Sequence, residues 1–340
     1  MNMKKTSIKI RTKSIHLGIE LLRFILCLWV VIIHCSIVKS EFKKYLLKGF
    51  HVPTFVLISF YFYYPIIKNR FIIRIISRFQ RILIPYILWP LLRLIINNFI
   101  VNDSQMKKKL TLYDFYLQIL IGHKFHPIFW FQFNLIFSSI FLTIIAFIFK
   151  KKFLIIFQFL GIISLYMHYS GTNFKLFTFF PKFKVSLGSL IELISLSVLG
   201  CFYSSVNLLN VANNIPKYLK FILLVLIHFL FKYNLFIVYP GFIYPKIIIN
   251  ILASTFLFLL FGSLNLTKIT AINSIIKNIS KYTGGIYYIH IIVSSYLMQY
   301  IIFFKKKSLL SSIIVYFFCY IICYLGTSLF KNNKLKYLFN

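Results

Sequence analysis

Acidic side chains are nearly missing from this sequence: five Asp and Glu stand against 39 Lys and Arg in 340 residues. So few carboxylates leave almost no room for a mechanism built on paired carboxylates or on acidic metal ligands. Cysteine is equally sparse. The five, at 27, 35, 201, 319 and 323, form no CxxC and no His-paired spacing, which speaks against a disulfide framework and a zinc site. Four of them fall in apolar runs, where a thiol behaves as a small hydrophobe. There is no nucleophile motif, no P-loop and no cluster of metal ligands, so no metal is expected. Long loops are absent as well. The longest, 102–127, contains YDFYLQILIGH, a segment suited to lie against or dip into a membrane surface. Nothing is long enough for a soluble domain, and residues 1–340 are expected to form a single integral-membrane domain.

What is abundant is apolar. The chain is 60% hydrophobic with a mean hydropathy of +0.84. A soluble chain of this size could not cover so much apolar side chain, so its solvent is lipid. The formal charge of +34 suggests a nucleic-acid binder at first sight. The lysines, however, sit in short clusters between apolar runs, as in loops flanking membrane spans, amid a general excess of Lys, Ile, Phe, Asn and Tyr. No nucleic-acid partner is expected. The basic N-terminus followed by an apolar run resembles a signal peptide, but that run carries Arg23 and lacks a small-residue cleavage motif, so it reads as an uncleaved span.

Apolar runs near the length needed to cross a bilayer occur at 17–38, 46–67, 82–101, 128–149, 153–167, 186–205, 218–231, 245–264, 283–304 and 309–330. The expected fold is all-α, a polytopic membrane bundle of about ten transmembrane helices. Loop Lys and Arg, above all those of the N-terminal segment and of 68–81, place both termini in the cytoplasm of a cell whose inner (plasma) membrane holds the chain. Neither half repeats the other, which disfavours a transporter built on inverted repeats.

Three stretches carry ionisable groups where lipid makes them costly. In 19–36, IELLRFILCLWVVIIHCS, Arg23 and His34 stand eleven positions apart. At roughly 100° per residue they share one helix face within about 20°, and they are about 16 Å apart along the axis. Glu20 and Cys27 lie near the same stripe. Arg23 reads either as a snorkelling interfacial cation or as part of a site, and His34 either as a bonded core histidine or as a general base. In 68–89, Arg70, Arg74, Arg78 and Arg81 fall at i, i+4, i+8 and i+11 on one expected helix face, and Arg78 and Arg81 can converge on one anion. The run is Arg in a chain otherwise rich in Lys, which favours bidentate phosphate binding over a positive-inside anchor. In 281–293, KYTGGIYYIHIIV, His290 has Tyr287 at i−3 and Ser294 at i+4 as hydrogen-bond partners, as a core histidine or a site residue.

Taken in order, these stretches resemble the acyltransferase 3 family of integral-membrane, acyl-CoA-dependent acyltransferases. The family's Arg and His separated by ten residues are matched by Arg23 and His34, and its R-x-x-R by Arg78 and Arg81 ahead of Ile84-Pro85-Tyr86. An H-x-x-x-W-F stretch is matched by His126–Phe131 with Trp130, and a late I-Y-x-x-H by Ile286–His290. The segment VPTFVLISFYF, Val52–Phe62, resembles one that members commonly read F-x-x-S-G-[FY], but the usual Gly after Ser59 is Phe60 here, a departure that bears on how closely the second span packs.

The resemblance implies transfer of an acyl group, commonly acetyl, from acyl-CoA to a hydroxyl of a cell-surface polysaccharide or lipid-linked glycan, as in O-antigen O-acetylation. It assigns His34 and Arg23 to catalysis, and Arg74, Arg78 and Arg81 to the phosphates of acetyl-CoA or another acyl-CoA. Glu20, Ser59, Trp130, Tyr287 and His290 are further candidates. The expected partners are acyl-CoA, the glycan acceptor and the bilayer. The alternative is a polytopic glycan flippase or transporter, in which the arginines would hold a lipid pyrophosphate.

Overall fold

The computed structural model describes residues 16–35, 50–99, 111–121, 129–169, 181–236, 243–264, 266, 270–300 and 309–340. Among them there is no strand. The helices are α1 (Leu17–Cys35), α2 (His51–Lys68), α3 (Ile72–Phe99), α4 (Leu112–Ile121), α5 (Phe129–Phe149), α6 (Phe153–Tyr169), α7 (Pro181–Ser205), α8 (Leu208–Asn213), α9 (Lys217–Phe236), α10 (Ile243–Gly262), α11 (Thr270–Ser280), α12 (Thr283–Tyr300) and α13 (Leu309–Leu329), with a 3-10 turn at Lys334–Leu338. Every apolar run expected to cross the membrane falls on one of these helices. Among the described residues four segments are long and apolar enough to span: Leu17–Cys35, Ile72–Leu92, Trp130–Phe149 and Leu309–Leu329. Shorter apolar helices lie at Phe153–Ile163, Leu193–Ser205 and Ile248–Gly262. The protein is an all-α membrane bundle. The loop segment YDFYLQILIGH supplies α4. The loop 39–45, His126 and the ends of the first, third and ninth expected spans lie outside the described residues.

Outward faces carry Ile73, Ile155, Phe221 and Leu329, all more than half exposed, as a lipid solvent requires. Inside, three apolar clusters form. One joins α1 to α12, α13 and Trp89; a second joins α2, α5, α6 and α7; a third joins α1 and α2 to α8 and α10. All five cysteines are free and buried.

Two departures from the sequence reading matter for the site. First, the arginine stripe is broken. Arg70 sits at φ 51°, with its N–H donating to the Ile67 carbonyl and the Phe71 N–H to that of Ile66. This is a Schellman cap on α2 with an arginine in the left-handed position that glycine usually takes. The next helix therefore starts after Arg70, whose guanidinium carbon lies 5.5 Å from the Phe147 ring centroid, so only Arg74, Arg78 and Arg81 belong to α3.

Second, Phe60 is accommodated by a glycine on the partner helix. Phe60 is fully buried, and at Gly200 of α7 a Cβ would stand 2.6 Å from the Leu57 carbonyl oxygen and 3.0 Å from the Phe60 Cβ. The small residue that lets α2 approach its neighbour thus stands on α7. Gly200→Ala is expected to lower stability by about 1–3 kcal/mol through overpacking against backbone. Thermal unfolding in detergent checks this, and an unchanged midpoint would contradict it.

Candidate active site

The site is built from five helices, α1, α2, α3, α5 and α12. On α1, the Arg23 guanidinium donates through Nη1 to Glu20 Oε1 (3.2 Å) and Oε2 (3.0 Å), one turn back. Through Nη2 it donates to Thr283 Oγ1 (3.3 Å) at the start of α12. Thr283 in turn donates to the Ser280 carbonyl (2.9 Å), and Cys27 Sγ to the Thr283 carbonyl (3.4 Å). The Arg23–Glu20 pair is partly exposed and adds little stability by itself. Its effect is positional, holding a cation against the first turn of α12.

Arg78 of α3 is embedded differently. It donates to Ser59 Oγ of α2 (2.8 Å) and to Ser139 Oγ of α5 (3.5 Å). Its guanidinium carbon lies 4.2 Å from the Tyr63 ring centroid and 5.4 Å from that of Phe60. Its Nε is buried without a hydrogen-bond partner, and no carboxylate bonds it among the described residues. Hydroxyls and ring faces solvate the guanidinium without neutralising it. Arg81, one turn on, is exposed, with its guanidinium carbon 5.8 Å from the Tyr337 ring centroid.

Tyr337 belongs to a C-terminal segment tucked against the helices. Trp89 Nε1 donates to the Leu338 carbonyl (3.1 Å). The Phe339 carbonyl oxygen approaches Gly285 so closely that a Cβ there would lie 2.5 Å from it. This close approach accounts for the glycine pair in TGGIYY.

These groups face a cavity of about 340 Å³, whose wall includes His16, Glu20, Arg23, Ser59, Arg78, Arg81, Gln132, Thr283, Tyr287 and Tyr288. Three guanidiniums thus meet one carboxylate in a single recess, the arrangement expected of an anion site. Arg74, exposed and folded over the Phe71 ring (4.7 Å), is not part of the described wall. Neither is Trp130, which packs with the apolar cluster of α2, α5, α6 and α7.

His34 also stands apart. Its exposed ring lies 5.3 Å, centroid to centroid, from the buried ring of His290, which lies 6.1 Å from that of Tyr287 in the cavity wall. His290 is bonded through backbone rather than through the Tyr287 and Ser294 side chains. Its Nδ1 lies 2.8 Å from the Tyr287 carbonyl oxygen and 3.2 Å from that of Ile286, so Nδ1 carries the proton, while Nε2 is buried without a partner. Two residues to which the sequence assigned no role also belong here. His51, at the start of α2, tilts its ring 6.1 Å from Trp29 and has a buried, unpartnered Nδ1. Gln132 is buried in the cavity wall. Among the described residues no group of three or more His, Cys, Asp or Glu is placed to hold a metal.

A family model described as an acyltransferase domain matches residues 16–330. The chain belongs to the acyltransferase 3 family. No curated protein and no solved structure matches it. In this membrane acyltransferase Arg78 and Arg81, three positions apart, both stand in the cavity wall. The segment Ile286–His290 runs from the wall, at Tyr287, to the imidazole facing His34.

One titration follows from the wall itself. Burial pushes the His16 imidazole, just ahead of α1, below the usual histidine range. The unfolded chain then takes up a proton that the folded site resists, so stability falls as pH drops below about 6.5. In His16→Gln this component of the acid loss disappears. Unfolding midpoints between about pH 7.5 and about pH 5 test it, and an equal loss in both proteins would contradict the assignment.

Proposed function

We propose that this acyltransferase is an O-acetyltransferase of the inner membrane, with both termini in the cytoplasm, moving acetyl from acetyl-CoA to a hydroxyl of a cell-surface polysaccharide or lipid-linked glycan such as an O-antigen precursor. The observation that carries the proposal is the recess where Arg23, Arg78 and Arg81 outnumber Glu20, with two facing imidazoles just beyond its Tyr287 wall. A CoA pyrophosphate matches the surplus of guanidinium donors. The acyl arm is long, thin and largely apolar, as a recess lined by Phe55, Ile58, Phe62 and Leu135 requires.

In the reaction the acceptor oxygen attacks the thioester carbonyl carbon as His34 removes the hydroxyl proton. The C–S bond breaks, the new C–O ester bond forms, and the departing thiolate takes the proton from the imidazolium. His290, with Nδ1–H fixed on backbone carbonyls and its ring 5.3 Å from that of His34, sustains the positive charge that passes through His34. Arg23, held by Glu20 and Thr283, orients the donor at the start of α12.

Two measurements test this. Purified protein is expected to bind acetyl-CoA, and Arg81→Gln, an exposed substitution, to weaken binding about 10- to 100-fold. His34→Ala is expected to leave binding intact and to lower acetyl transfer by about 10²- to 10⁴-fold. Full glycan acetylation by His34→Ala at equal protein level would remove the mechanism. A wild-type protein that binds a lipid pyrophosphate but no acetyl-CoA would make it a flippase.

A further inference from the structure

Gln132 has no assigned part in this chemistry. It sits in FWFQFNL near the start of α5, is 1% exposed, and forms part of the cavity wall. Both of its polar atoms, Nε2 and Oε1, are buried without a hydrogen-bond partner. An unpaired buried amide is destabilising, so a carboxamide kept in that state beside a cavity points to a partner that arrives with the ligand.

Its position narrows the ligand. Gln132 precedes Ser139, the residue that receives a bond from Arg78, by seven positions. That spacing places both on one face of α5, two turns and about 10 Å apart. The adjacent Phe131 ring lies 5.7 Å from that of Tyr287, the wall residue next to His290. Gln132 therefore stands between the guanidiniums and the imidazoles, along the path a donor's arm takes if its phosphates rest on the former and its thioester reaches the latter. Phosphate oxygens only accept hydrogen bonds and an acetyl group offers no N–H donor. A carboxamide with a free donor and a free acceptor matches a group presenting both; the acceptor hydroxyl also does, but it is placed at His34, whereas the amides of the donor's arm lie between phosphates and thioester.

Resting on the acyl-CoA reading above, we propose that Gln132 is a specificity-determining residue, pairing with a secondary amide of the donor's pantetheine arm. It thereby selects amide-bearing thioesters and sets how far the acyl group reaches toward His290.

The test uses the full-length protein in detergent and two acetyl-CoA analogues, each with one of the two pantetheine amides replaced by an ester. The swap keeps the carbonyl and deletes the N–H. Titration calorimetry is expected to show wild type binding acetyl-CoA about 10-fold more tightly than one of the analogues, and Gln132→Leu binding the two ligands alike. Equal affinity of wild type for acetyl-CoA and both analogues overturns the inference, whether or not the variant folds. A Gln132→Leu protein that still discriminates overturns it too, because the reader is then another group. If wild type binds none of the three ligands, the acyl-CoA reading itself falls, a result distinct from binding without discrimination.

Discussion

A guanidinium embedded in an apolar bundle, with no carboxylate bonded to it among the described residues, governs the rest of this structure. Arg78 is held by two serine hydroxyls and two aromatic faces, and its Nε has no partner. In a medium of low polarity such a cation is costly unless something compensates it. The chain has almost no acid with which to do so. Of its five acidic residues, Glu20 lines the cavity and is already shared with Arg23. The scarcity of carboxylates accords with the proposed function, in which a bound polyanion supplies the compensating charge.

The surrounding helices can be understood as the means of keeping that cation in place. Ser59 and Phe60 lie on α2, which reaches Arg78 because Gly200 lets α2 and α7 come into backbone contact. Ser139 comes from α5, and Tyr63 is itself bonded to Thr143 of the same helix (2.5 Å). At the other side of the recess Arg23 ties α1 to Thr283, and the C-terminal segment, seated on Gly284 and Gly285, brings Tyr337 against Arg81. Beyond Tyr287 the character of the site changes from guanidinium to imidazole. The proposed reaction holds a polyanion at one end and moves a proton at the other, and Thr283, Tyr287 and His290 of α12 run from Arg23 to His34 between the two.

Much of this was legible in the residues. Apolar runs and their lengths located the helices, because in lipid every backbone polar group must be satisfied within its own segment. The eleven-residue spacing of Arg23 and His34, and the three-residue spacing of Glu20 and Arg23, follow from helical periodicity, and the ion pair formed as that periodicity implies. Where the reading failed, non-periodic or long-range geometry decided. Arg70 left the stripe because a helix cap intervened, and nothing in KNRFIIR marks a cap without the usual glycine. Tyr287 and Ser294 gave way to backbone carbonyls as partners of His290, a competition that spacing alone cannot resolve. Phe60 looked like a loss of close packing, but the glycine stood 140 positions away on another helix. Gln132 carried one usable signal: with Asn134 it is one of two carboxamides in an apolar stretch, a type that is costly in a membrane without a partner.

The most direct measurement is a cryo-EM structure of the protein with bound acetyl-CoA. The account predicts phosphate density within hydrogen-bonding reach of the Arg78 and Arg81 guanidiniums, and the thioester at the Tyr287 wall facing His290 and His34. A donor whose phosphates lie away from both arginines, with Arg78 still enclosed by Ser59, Ser139 and Tyr63, would contradict it.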